Sequence, residues 1–211
     1  MKEAGLVKVS SNDEKGSLTE EARSFSKRLD RAARILPKLR RRAKGLRWHL
    51  WIAIWGGTVG RRLEVDSGAR LRWPPHGGVN IGDDVYIGIG AVLDVPSGAK
   101  LQLADGVKIM HYSVLAASDC IAIGRDTQIA EASSVRDSDH GMSLHRPMKY
   151  QLQSAPVKIG YDVWIGRGVV VLKGCQIGDG AVIGANSVVR GEIPTMAIAV
   201  GSPAKVVRLR N

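Results

Sequence analysis

The chain has 211 residues, a 44% hydrophobic content that argues against wholesale disorder, and a formal charge of +11. It holds 25 Gly but one Phe, so a core must be built from Val, Ile and Leu with many tight corners, a composition that favours β-structure. Cys120 and Cys175 stand far apart in no metal or redox spacing, and with no cleavable signal sequence read before them they are expected to be reduced residues of a cytoplasmic protein.

Charge is unevenly placed. Residues 1–62 hold 16 Lys and Arg against 6 Asp and Glu, whereas the remainder holds 15 against 14. Residues 1–18 mix charge, Ser and Gly without periodicity and read as a flexible arm. Residues 19–62 read as a basic helical extension. Phe25, Leu29, Ala32, Leu36, Leu39, Ala43, Leu46 and Leu50 recur at spacings of four and three, and Thr19 with Glu20 and Glu21 offers an N-terminal cap. Pro37 interrupts the stripe, so two helices or one kinked helix are expected rather than a straight rod. Trp48, Trp51 and Trp55 then fall on one helical face. They suit capping of the open end of a following β-structure, or, with the basic stripe of residues 19–55, contact with an anionic membrane surface. The apolar run Leu50–Trp55 is too short to span a bilayer.

From residue 63 an aliphatic residue followed by a small or polar one returns every six positions: Ile81-Gly82, Ile87-Gly88, Leu93-Asp94, then Leu103, Ile109 and Leu115, then Ile123, Ile129 and Val135. The clearest run is Ile159, Ile165, Val171, Ile177, Ile183 and Val189. Four residues after many of these stands a second small or branched residue, such as Val85, Ala91, Ser113, Thr127, Ser133 or Ser187. One hexapeptide makes one short strand and one corner, and three complete a coil that stacks on the next. Residues 63–211 therefore read as one parallel β-helix, mainly β, whose ends need caps. The helices and the terminal segment PAKVVRLRN are the candidates. Spacing lapses between Val135 and Ile159, so residues 141–156 must leave the coil as a protruding loop with His140 at its root.

The segments VWIG, AVIGANSVV and GSPAKVV within residues 159–210 closely resemble the hexapeptide-repeat acyltransferases, among them maltose, galactoside and nodulation-factor acetyltransferases and O-acetyltransferases of surface glycans. The resemblance covers residues 63–211. It implies a left-handed parallel β-helix, an exception to the usual right-handed crossover. It also implies a homotrimer with an acetyl-CoA site in each cleft between subunits, and a sugar or glycan hydroxyl as acceptor. On this resemblance His140 is the base that takes the acceptor's proton, a task that suits a neutral imidazole, and Asp137 or Asp139 would orient the ring. The Arg167-Gly168 turn matches the segment whose backbone N–H holds the oxyanion. Trp164 matches an aromatic beside the reacting centre, and Gly184-Ala185 a small pair that lets the pantetheine arm approach. Arg190, Lys205 and Arg208 would neutralise CoA phosphates, although Arg190-Gly191 stands where relatives often carry Thr-Lys.

Two other readings stand beside this one. A γ-type carbonic anhydrase shares the β-helix and holds zinc with three histidines, and His111, His140 and His145 are present. His140 and His145 stand five apart, a spacing which that family also uses, but His111 is not in its register, and no metal is expected. A non-catalytic trimeric scaffold would use the Arg40–Arg42 run at a membrane or a nucleic acid, but no nucleic-acid module accompanies it. The expected location is cytoplasmic, at the inner face of a membrane if the helical extension binds there.

Overall fold

The computed structural model describes residues 12–142, 144–145 and 147–210, with the side chains of 12–24, 26–32 and 34 outside the description. Most of the expected arm, the Thr19 cap and the side chains of Leu29 and Ala32 thus lie outside the described residues. The chain divides into two units, one ending at Leu39 and one beginning at Arg40. A single helix is assigned over Asn12–Ile54, with Pro37 inside it. It starts seven residues before Thr19 and, of the two alternatives of two helices or one kinked helix, is a single helix through Pro37. In the first unit Phe25, Ile35, Leu36 and Leu39 are exposed.

In the second unit each coil gives one strand to each of three sheets. The first sheet stacks Thr58–Val59, Val79–Ile81, Lys100–Leu103, Cys120–Ile123, Val157–Ile159, Gln176–Ile177 and Glu192–Ile193. The second stacks Glu64–Val65, Tyr86–Ile87, Lys108–Ile109, Gln128–Ile129, Trp164–Ile165, Val182–Ile183 and Ala197–Val200. The third stacks Arg70–Leu71, Val92–Asp94, Val114–Ala116, Ser134–Arg136, Val170–Val171 and Val188–Val189. All these pairings are parallel; the coil begins at Thr58, a little before the expected residue 63. The repeat positions form the core: Ile87, Leu93, Ile109, Leu115, Ile129, Val135, Ile165, Val171 and Val189 are fully buried.

The second position of each repeat is buried as well, and where it is Ser or Thr it ties coil to coil. Thr127 Oγ1 donates to the Gly160 carbonyl at 2.7 Å and accepts from Val163 N–H at 3.2 Å, and Ser133 does the same between Gly166 and Val169. The Gly after the aliphatic serves close approach rather than an unusual φ. A Cβ on Gly166 would lie 2.7 Å from the Ile183 carbonyl oxygen of the next coil.

Length variation is confined to one edge. Within a coil the steps from first to second and second to third sheet are constant, as in Asn80, Tyr86, Val92 and again in Lys158, Trp164, Val170. The return from third sheet to first varies: Arg70 to Asn80, Val92 to Gln102, Val114 to Ala122, Ser134 to Lys158, then Val170 to Gln176. We call this the returning edge, and the one between second and third sheets the forward edge.

Both ends of the coil are covered. At the front, Ile52 is fully buried in the core cluster and Trp48 packs partly against it, while Gly45 allows the helix to meet the Leu63 backbone. Arg41 pairs with Glu64 at 3.0 Å and lies over the Tyr86 ring, whose hydroxyl donates to Asp66. Burial and the Asp66 carboxylate push the Tyr86 phenol up. Of the three tryptophans Trp48 packs on the core, Trp51 is exposed but lines a cleft with Val65 and Ala69 of the first coil, and Trp55 is exposed. At the far end, Lys205–Leu209 pairs antiparallel with Ala197–Val200. Cys120 and Cys175 are free thiols, and burial pushes Cys175 up.

Candidate active site

The long return is a hairpin. The chain leaves the coil at Asp137 and comes back at Ala155, whose N–H donates to the Asp137 carbonyl at 2.8 Å. Ser138–His140 pairs antiparallel with Leu152–Ser154, so His140 sits on a strand and the excursion starts earlier than residue 141. Beyond it, a 3-10 turn at Met148–Tyr150 folds back.

That turn orients the histidine. His140 Nδ1 lies 3.0 Å from the Met148 carbonyl oxygen. A carbonyl only accepts, so Nδ1 carries the proton of the neutral ring and Nε2 keeps its lone pair on an exposed side chain. The expected aspartates are not brought to the ring. Asp137 is fully buried, and its two oxygens accept from Ser118 N–H at 2.7 Å and Asp119 N–H at 2.8 Å, closing the corner beneath the hairpin. Asp139 is exposed and, by strand alternation, on the opposite face from His140. Ser138 shares the His140 face and meets Ser118 of the preceding coil, Oγ to Oγ at 2.9 Å. On the other side Lys173 of the following coil donates to Gln153 Oε1 at 3.3 Å. The hairpin is wedged between two coils, with its His140 face towards the N-terminal one.

The remaining expected residues lie mostly on the second sheet and the forward edge. Trp164 is 57% exposed and lines a cleft of about 410 Å³ with Asp126, Gln128, Asp162, Val182 and Arg210. Gly168 has a φ of 67°, and its N–H donates to the Glu131 carbonyl at 3.0 Å, so it is committed to the coil. The Arg167 N–H has no acceptor among the described residues, while its guanidinium pairs at 3.6 Å with Glu131. Of the matched turn, Arg167 is the residue with a donor to spare. Gly184 and Ala185 occupy the same edge one coil on, and Lys205 and Arg208 are exposed on the final strand. Arg190 stands apart, on the returning edge with His140.

Several contributors had no sequence signal. The Met148 carbonyl is backbone, and its aim depends on the turn. Arg210, in the terminal segment, donates to Gly180 O at 2.7 Å and pairs with Asp162 at 3.3 Å, a contact between residues 48 apart. Of the three histidines weighed for zinc, His111 is on the forward edge, where its Nδ1 accepts from Ile89 N–H. Among the described residues no group of three or more His, Cys, Asp and Glu is placed to hold a metal.

Among the described residues the coil thus presents an imidazole nitrogen without a partner on one edge and an unclaimed backbone donor on another. Residues 156–191 match the family model of the bacterial transferase hexapeptide (six repeats). The putative lipopolysaccharide biosynthesis O-acetyl transferase WbbJ of Escherichia coli K12 is 38% identical over 154 residues, covering 67% of this chain and 79% of that protein. Among solved structures, the hexapeptide-repeat acetyltransferase VCA0836 of Vibrio cholerae, complexed with acetyl coenzyme A, matches with a TM-score of 0.53 and 26% identity over 86% of this chain and 87% of that one. The polysialic acid O-acetyltransferase OatWY matches with a TM-score of 0.58 and 26% identity over 72% and 73%. The chain belongs to the hexapeptide-repeat acetyltransferase family.

Proposed function

We propose that this protein transfers an acetyl group from acetyl-CoA to a hydroxyl of a sugar or glycan, with His140 as general base. The observation that carries the reading is the His140 ring, held through Nδ1 by the Met148 carbonyl with Nε2 left open. Nε2 takes the hydroxyl proton as the oxygen attacks the thioester carbonyl. The oxyanion formed needs a preorganised donor, and the Arg167 N–H supplies it. Collapse breaks the carbon–sulfur bond, and the proton held by His140 passes to the departing sulfur, giving the acetyl ester and free CoA. Ala185 leaves room for the pantetheine arm, and Lys205, Arg208 and Arg190 offer cations for phosphates. Acetyl-CoA mixed with a panel of sugars and glycans is expected to release thiol only with a competent acceptor, which gains one acetyl ester. Release that ignores the acceptor contradicts the reading.

The site is divided between copies. One chain holds His140 and Arg167 on different edges, so a complete site requires the returning edge of one copy against the forward edge of the next. Such a heterologous contact closes into a ring, and we take the ring to be the trimer of the family. The exposed Met142, Leu144, Met148, Tyr150 and Leu152 of the hairpin loop support a partner surface there.

The last turns of the helix support peripheral membrane binding. Leu46, Leu50 and Ile54 lie four apart on the face away from Gly45 and Ile52 and are exposed. Residues 40–55 hold five Arg and Lys and no Asp or Glu, so a second copy on this face would oppose like charges, whereas anionic lipid complements it. No described helix is long and apolar enough to cross a membrane. The full chain is expected to float with phosphatidylserine vesicles and not with neutral ones, and Leu50→Asp/Ile54→Asp to stay behind. Equal flotation of both proteins would refute the contact.

A further inference from the structure

We propose that the returning edge is an acceptor track: an oligosaccharide or polysaccharide chain lies along it from His140 towards the first coil, where Trp73 is a stacking platform. The inference rests on the acetyl-transfer reading and assigns its acceptor to extended glycans rather than single sugars.

The platform is built. Trp73 stands at the first return with its indole N–H donating to Asp94 Oδ1 at 2.7 Å, and the other Asp94 oxygen accepts from Arg72 at 2.7 Å. The Arg72 guanidinium lies over the indole. Pro74 and Pro75 stiffen the chain that follows, and His76 closes it, bonded to Val95 O and Gly78 N–H. A tryptophan with its N–H tied down in this way remains 45% exposed. Ordering a large aromatic at a solvent-facing corner with a carboxylate and a guanidinium serves no core, since the coil closes without it. Away from Arg72, the fixed indole presents a flat apolar face of the kind that the C–H face of a pyranose covers.

The path between platform and base runs along the returning edge, in the cleft which that edge forms with the neighbouring copy. Three coil spacings separate the Trp73 corner from the hairpin, about 14 Å at the usual strand spacing, the span of a short oligosaccharide. The return just before the hairpin, Val114 to Ala122, is two residues shorter than the two before it, and we take this step in the edge as a notch against the hairpin. Small buried residues, Ala116 and Ala117, form its floor. The Ser118 and Ser138 hydroxyls and the exposed Asp119 carboxylate stand at its rim and can bond sugar hydroxyls. The His140 face of the hairpin is the one turned to this notch. A chain entering from Trp73 thus approaches the hairpin face that carries His140, and leaves the neighbouring copy's forward edge to acetyl-CoA.

The test uses malto-, chito- and sialo-oligosaccharides of one to about six units as acceptors, with the intact protein. Wild type is expected to show kcat/KM rising with length until the chain reaches the platform. Trp73→Ala is expected to remove that rise, a loss of about tenfold for long acceptors, through KM. Its rate with single sugars and its KM for acetyl-CoA should be unchanged, and Trp73→Phe should recover part of the rise. Equal effects on short and long acceptors overturn the track, as does a rise that Trp73→Ala leaves intact. Dissociation of the assembly in Trp73→Ala would make Trp73 an interface residue and also overturns it. Failure of wild type to acetylate any acceptor counts instead against the acetyl-transfer reading. In that case calorimetric titration of the longest oligosaccharides still decides the track, because equal affinity for wild type and Trp73→Ala rejects it.

Discussion

His140→Ala is expected to lower kcat by about two to four orders of magnitude with a confirmed acceptor, while KM for acetyl-CoA changes little. The size follows from the role, because a sugar hydroxyl is a poor nucleophile until its proton is leaving. The ring also has a structural duty, since Nδ1 bonds the Met148 carbonyl and helps to hold the loop turn. His140→Asn separates the two duties. Its amide N–H can donate to the same carbonyl, but it offers no basic nitrogen. Both variants should be equally inactive if His140 is the base. Substantial activity in His140→Asn, with His140→Ala dead, would make the residue a loop brace and move the base elsewhere.

Arg167→Pro is expected to lower kcat by roughly two to three orders of magnitude, the loss seen when one oxyanion donor is deleted. The substitution removes an N–H that has no acceptor among the described residues, so it costs the fold no hydrogen bond. The residue before it is Gly166, the type least restricted by a following proline. Arg167 is not among the positive-φ corners, which a proline could not occupy. Arg167→Ala is the side-chain control. It keeps the N–H and gives up only an exposed pair with Glu131 that contributes little. A large drop in kcat for Arg167→Pro, with a small change for Arg167→Ala and thermal stability retained in both, is the expected pattern. Equal loss in the two would move the role from backbone to guanidinium, most simply towards a CoA phosphate.

The coil was legible because its physics repeats. An inward aliphatic every six residues can be satisfied only by stacking, and every such position from Ile81 to Val189 falls in a strand of the expected kind. The edges were less legible, because a corner tolerates many lengths and each length leaves the inward positions unchanged. The excursion therefore looked like residues 141–156, although Ser138–His140 still forms a ladder with Leu152–Ser154 outside the coil. Proximity in sequence misled at the aspartates. Asp137 and Asp139 flank His140, but burial commits the first to two backbone N–H groups and strand alternation turns the second away. The ring's true partner is a main-chain oxygen eight residues on, which no residue type announces. In the helix, the apolar stripe through Leu36, Leu46 and Leu50 marked the helical period, and the three tryptophans suggested the cap. Gly45, Trp48 and Ile52 meet the coil instead, because a close crossing needs a residue without a side chain.

The claim that joins these observations is that each catalytic site takes His140 from one copy and the Arg167 N–H from its neighbour. Co-expression of His140→Ala with Arg167→Pro tests it most directly, since each variant spoils a different half. Random assembly of the two in equal amounts gives a site with both intact halves about one time in four. The whole co-expressed population should therefore recover about a quarter of wild-type turnover, and purified trimers that contain both variants about a third, far above either variant alone. Mixed assemblies no more active than the two inactive variants would place both halves of the site in a single chain and contradict the account.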